Sequence, residues 1–100
     1  MKYHGIEIPE ERLADFCRRH GVKQLSLFGS ILRNDFGPES DVDVLVEFLP
    51  GRTPGMFGLV RMQMELSQTI GRTVDLRTPH DLSRYFRDQV LNEARVQYAA

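Results

Sequence analysis

The clearest periodicity in the chain lies over residues 42–48. Val42, Val44, Val46 and Phe48 alternate with Asp43, Leu45 and Glu47, and Asp41 precedes the run in phase with the second set. A period of two is that of a β-strand, whose successive side chains point to opposite faces. One face is apolar and belongs to a core; the other gathers carboxylates at one end. A shorter apolar run over 24–28 stops at Gly29 and reads as another strand. Over 73–77, Val74 and Leu76 alternate with Thr73, Asp75 and Arg77 and predict a third.

Helical spacing fills the intervals. Residues 9–20 place Leu13, Phe16 and Cys17 on one stripe, with Pro9 suited to a first helical position and Gly21 to the position past the end. Ser30 is expected to N-cap a short helix over 30–35, and residues 36–40 carry turn chemistry. The loop over 49–55 holds two prolines and two glycines. Over 56–70, Leu59, Met62, Leu66 and Ile70 follow helical spacing and Gly71 ends the helix. Met56, Phe57, Val60 and Met64 widen its apolar surface. The plain reading is a broad core stripe; the sharper one is contact with a protein partner, to which methionine adapts well. Thr78 and Pro79 open a last helix expected to run to about Arg95, packing through Leu82, Tyr85, Phe86, Gln89, Val90 and Ala94. Helix, strand, short helix, strand, helix, strand, helix describes a small α/β or α+β domain.

Bulk properties narrow the classes. One hundred residues predict one domain, 1–100, with a single core. A formal net charge of −1 argues against a broad electrostatic footprint on nucleic acid, so no direct nucleic-acid binding is expected. Cys17 is the only cysteine, which rules out an intrachain disulfide and points to a cytoplasmic setting. No signal-peptide core or membrane-length apolar run is present. His4, His20 and His80 lack ligand spacing, and no cysteine-based metal site or Ser-His-Asp arrangement can be placed.

The chemistry gathers around two short segments. Gly29-Ser30 closes a strand, and ten residues later Asp41-Val42-Asp43 opens another. Aspartates two apart on a strand lie about 7 Å from one another, so without a counter-charge each disfavours the ionised form of the other. A divalent cation removes that conflict, and carboxylate oxygens with open water positions suit Mg²⁺ shared with substrate phosphates. If Val74 and Leu76 join the core of Val42, Val44 and Val46, parity brings Asp75 to the face of Asp41 and Asp43. Three carboxylates there could form a two-metal site for in-line displacement at phosphorus. Gly29 permits close backbone approach to a phosphate; Ser30 adds a hydroxyl and a helix start. Arg33 could reach a phosphate oxygen or pair with Asp35 or Glu39.

This combination resembles the DNA polymerase beta-type nucleotidyltransferase superfamily, whose signature is Gly-Ser, a gap, Asp-x-Asp and a later carboxylate on another strand. Within it the chain looks like the minimal nucleotidyltransferases, or MNT proteins. The runs Leu27-Phe28-Gly29-Ser30-Ile31-Leu32-Arg33-Asn34-Asp35-Phe36, Ser40-Asp41-Val42-Asp43-Val44-Leu45-Val46-Glu47-Phe48 and Gly71-Arg72-Thr73-Val74-Asp75-Leu76-Arg77-Thr78-Pro79 carry the likeness, which extends over nearly the whole chain. Asn34 departs from it, standing where many members have glycine. The resemblance implies a mixed sheet flanked by helices, with Mg²⁺ (two ions) and ATP as substrate. By it, Asp41 and Asp43 bind both ions, Asp75 binds one and prepares the attacking hydroxyl, and Gly29 and Ser30 hold the triphosphate. It also implies a HEPN-domain toxin as partner, with the chain acting as an antitoxin that transfers AMP to a tyrosine of that toxin.

Other readings stay open at this level. The chain could neutralise its partner by binding alone, catalysis being dispensable. It could instead serve a small-molecule acceptor, although little sequence remains beyond the core to form an acceptor domain.

Overall fold

The computed structural model describes residues 2–100. Strands β1 (Lys2–Tyr3) and β2 (Ile6–Glu7) form a small hairpin. His4 and Gly5 close it with φ of 53° and 79°, the left-handed pair that tight hairpin turns demand. Helix α1 (Glu10–Arg19) follows, with Pro9 at its N-cap rather than inside it. Then come β3 (Val22–Phe28), a 3₁₀ turn (Gly29–Leu32), β4 (Val42–Phe48), α2 (Met56–Ile70) and β5 (Val74–Arg77). A second 3₁₀ turn (Pro79–Asp81), α3 (Arg87–Glu93) and β6 (Arg95–Ala99) complete the chain.

The four-stranded sheet has the order β5-β4-β3-β6. β4 runs parallel to β5 and antiparallel to β3, which pairs antiparallel with β6 on its other side. The sheet is therefore mixed, as the resemblance implies. Leu25 and Leu27 of β3, Val42, Val44 and Val46 of β4 and Val74 of β5 share one face and are buried with Leu13, Phe16 and Cys17 of α1 and Met62, Leu66 and Ile70 of α2. Burial pushes the Cys17 thiol up to about 12, against the opposing pull of Arg18. At neutral pH that side chain is an uncharged core group and no nucleophile.

β5 lies at an edge, where half its N–H groups would lack partners. α2 supplies them: Gln63 Oε1 accepts from Leu76 N at 2.9 Å and Ser67 Oγ from Val74 N at 3.0 Å. Gly71 ends α2 in the left-handed region, φ 82°, as expected of the residue there.

Three further expectations fail. Ser30 caps nothing: Phe28 takes the N-cap place, and the turn stops at Leu32 because Arg33 is already extended. A segment so short cannot meet the nucleation cost of an α-helix. The last helix is not continuous over 78–95. Thr78 takes the N-cap place and forms a capping box with Asp81, but the turn ends at Leu82, which is extended, and only Arg87–Glu93 is α-helical. The chain must travel from β5 at one edge to β6 at the other, where β6 satisfies the open backbone edge of β3. Finally, Met56, Phe57, Val60 and Met64 do not widen the core; they are 47–80% exposed.

Candidate functional site

The register across the sheet decides which side chains meet. Val42 lies beside Val74 and Asp43 beside Asp75 on the parallel pair, while Phe28 lies beside Asp43 on the antiparallel pair. Phe28, Asp43 and Asp75 thus form one row on the face opposite the core. Parity delivers Asp75 as the alternation predicts. Asp41 sits one residue before β4, exposed, where Val42 N donates to Thr73 O at 2.9 Å.

Gly29 is required here for two reasons. Its φ of 74° is left-handed, and a Cβ at this position would collide with the Asp43 carboxylate. The chain turns sharply off β3 and leaves that carboxylate its space. Ser30 follows in the 3₁₀ turn, whose first N–H groups lack intrahelical acceptors.

The Asp43 carboxyl is held above its ordinary range. Burial is the main cause, followed by the nearby charges of Asp75 and Asp41; Arg77 and Arg33 oppose the shift. The site is short of positive charge at this oxygen pair. Asp75 has already found a partner: Arg77, two residues on and on the same face, donates from Nε to Oδ1 at 3.1 Å and from Nη2 to Oδ2 at 3.2 Å. This fork holds Asp75 as it stands, and among the described residues no group of three His, Cys, Asp or Glu side chains is gathered for a metal ion. The donor set nevertheless suits a hard divalent cation, being carboxylate oxygens with an unmet demand for positive charge.

The loop carrying Asp41 is pinned from the side. Arg72 Nη2 donates to the carbonyls of Gly37, Pro38 and Ser40 at 3.0, 3.3 and 2.7 Å. Its guanidinium lies 4.8 Å from the centre of the Phe36 ring, which in turn stacks on His4. Arg33 is exposed and reaches Asp35 at 3.3 Å, one of the pairings its position allows. With Gly29 and Arg95 it lines an open cleft, so two guanidinium groups flank the glycine. The sequence reading singled out neither Arg72, Arg77 nor Arg95 as a site residue. For Arg77 the signal was present, since it shares the strand face of Asp75. A cleft of about 410 Å³ between α1 and α2 lies away from these groups. Arg19 and His20 bond to Glu65 there and hold its carboxyl below the ordinary range.

The model of the nucleotidyltransferase domain family matches residues 10–96 of the chain. The chain belongs to this family. A protein of Methanocaldococcus jannaschii assigned as a protein adenylyltransferase is 42% identical over 85 residues, covering 85% of this chain and 89% of the relative. Protein adenylyltransferase MntA of Thermococcus cleftensis is 32% identical over 75% of this chain and 74% of its own length. A solved structure described as a minimal nucleotidyltransferase superposes with a TM-score of 0.69 at 35% identity, covering 85% of each chain.

More distant structures share the fold. A toxin–antitoxin complex with AMP-PNP matches with a TM-score of 0.73 at 19% identity, over 92% of this chain and 74% of that one. The Shewanella oneidensis complex of a tri-AMPylated HEPN toxin with its MNT antitoxin matches at 0.65 and 19%, over 91% and 70%. The chain is thus a nucleotidyltransferase of the minimal type. No helix among its described residues is long and apolar enough to cross a membrane.

Proposed function

We propose that this nucleotidyltransferase transfers AMP from ATP to a tyrosine hydroxyl of a HEPN-domain toxin, and so acts as the antitoxin of the pair. The observation that carries the reading is the register pair of Asp43 and Asp75 beside Gly29. It is supported by relatives assigned as protein adenylyltransferases and by the fold shared with an MNT antitoxin bound to an AMPylated HEPN toxin.

Asp41, Asp43 and Asp75 would hold Mg²⁺. The bound cation supplies charge stabilisation at the transferring phosphoryl group. The chain's own residues do the rest. Gly29 and Ser30 offer backbone N–H groups and a hydroxyl to the triphosphate, and Arg33 adds a cation to its outer oxygens. The tyrosine oxygen bonds to the α-phosphorus, the bond from that phosphorus to the α,β-bridging oxygen breaks, and pyrophosphate leaves. Asp75, on the outer strand, takes the proton of the hydroxyl.

The test is label transfer from α-labelled ATP to a co-expressed HEPN partner. Asp41→Asn and Asp43→Asn are each expected to reduce it by about a thousandfold, the scale of losing a main electrostatic contributor to the transition state. Undiminished transfer in both variants would overturn the mechanism.

A second reading rests on a separate observation, the exposed Met56, Phe57, Val60 and Met64 stripe on α2. An apolar stripe of this kind suits a protein partner, and the HEPN toxin is the occupant we assign. If the Asp41/Asp43 double Asn variant still neutralises a toxin whose intact mass is unchanged, binding rather than transfer is the working activity.

A further inference from the structure

The three carboxylates of the site are held by different means. Asp43 stands within β4, and Asp75 stands within β5 and is gripped by Arg77. Asp41 stands outside the sheet, exposed, and among the described residues no side chain bonds to its carboxylate. Its place is set by its backbone. On one side Val42 N donates to Thr73 O at 2.9 Å. On the other, Ser40 closes a tight turn: its N–H donates to Gly37 O and its hydroxyl accepts from Gly37 N, both at 3.0 Å.

That turn is built around one guanidinium. Arg72 Nη2 meets the carbonyls of Gly37, Pro38 and Ser40, the last at 2.7 Å, with only two hydrogens to share among them. The carbonyls therefore converge on a single nitrogen, and the residue that follows the nearest of them is Asp41. The guanidinium is itself seated. Its carbon lies 4.8 Å from the centre of the Phe36 ring, within the range of a cation–π contact. Phe36 packs against the core and stacks on His4, with 5.0 Å between ring centres. His4 Nε2 bonds to Ile31 O at 3.0 Å, in the turn that carries Ser30. The His4 backbone is left-handed, φ 53°, which is uncommon for a residue other than glycine. The hairpin, the turn after β3 and the loop before β4 thus meet at one stack.

We propose that Arg72 is a positioning residue for Asp41: it fixes loop 37–40 so that this carboxylate faces a cation together with Asp43. The inference rests on the assignment of Asp41 to Mg²⁺ above. A lysine would not serve in its place, because an ammonium is a point charge without the flat face that Phe36 seats. Charge alone predicts the opposite sign. A guanidinium beside the carboxylates repels a divalent cation, so by Coulomb's law its removal strengthens Mg²⁺ binding. Positioning gives the reverse, since a carboxylate freed from its supports holds a cation less well.

The test is calorimetric titration of Mg²⁺, with a non-hydrolysable ATP analogue present, into the parent chain, Arg72→Gln, Asp41→Asn and the double variant. Arg72→Gln should weaken Mg²⁺ about tenfold, the scale of losing a group that orients a metal ligand. In the Asp41→Asn background the same change should cost less than about twofold, because the residue it serves has gone. Unchanged or tighter Mg²⁺ binding in Arg72→Gln overturns the proposal. So does an equal loss in both backgrounds, which is what general loosening of the fold would give. Tm of the EDTA-treated variants shows whether each one folds. If Arg72→Gln does not, Arg72→Lys carries the same comparison, with an expected loss of about threefold. If the parent binds no Mg²⁺, or Asp41→Asn binds it as tightly as the parent, the metal assignment of Asp41 fails and the inference with it.

Discussion

On its helix-covered face the sheet presents Leu25, Leu27, Val42, Val44, Val46 and Val74, all buried. On the other face Asp43, Asp75 and Glu47 stay in partial contact with water, although they alternate with those same residues on the same strands. The first face follows every rule of stability: apolar groups, close packing, no unpaired polar atom. The second breaks one of them, bringing carboxylates together beside a glycine that exists to make room. The difference fits the chemistry proposed for the second face. A face under selection for folding alone would not keep Asp43 where burial and its neighbours penalise its charge.

That contrast can be broken from the stable side first. Leu66 of α2 is fully buried against the sheet. Leu66→Ala should cost about 2–5 kcal/mol by lost transfer energy and residual cavity. Chemical denaturation measures it, and a loss below about 1 kcal/mol would mean that this core collapses around the gap. From the other side the sign should reverse. Asp43→Asn removes a charge the fold disfavours, so the EDTA-treated protein should gain up to about 1 kcal/mol, a rise of a few degrees in Tm. A fall in Tm would show that the ionised carboxylate is a net structural asset.

The same contrast explains what the sequence made legible. Strand β4 could be read because its period of two is unbroken, and once its faces were known, parity placed Asp75 without knowledge of strand order. Gly29 could be suspected, but its collision with Asp43 depends on the antiparallel pairing of β3 with β4, which no local pattern encodes. β6 was invisible because its residues become a strand by completing the edge of β3. The hairpin was missed because His4-Gly5 is not one of the usual turn pairs. Residues 82–94 do have helical spacing, and part of the segment is helical. The apolar positions face a cleft and solvent instead of the core, since the crossing from edge to edge fixes their direction. Arg77 was visible on the face of Asp75, but whether a guanidinium turns back to its neighbour or outward is settled by a rotamer.

Arg77 gives the smallest effect on stability and the finest division of the polar face. Its fork on Asp75 is half exposed, and an ion pair in that setting contributes about 0–1 kcal/mol to stability. Removing it should therefore lower Tm of the metal-free protein only slightly. Its influence on a divalent cation should be larger in proportion. Arg77→Gln releases both Asp75 oxygens from competition, and it also deprives Asp43 of a cation that moderates its environment. Both effects make the carboxylates more receptive to positive charge, so they add. Mg²⁺ should bind about three- to tenfold tighter, about 0.7–1.4 kcal/mol. Calorimetric titration of Mg²⁺ into the variant and the parent, with a non-hydrolysable ATP analogue present, measures the shift. Weaker binding would assign Arg77 the opposite role: it would then be the group that holds Asp75 in the orientation a cation needs, and the carboxylate row would be preorganised by its own arginine.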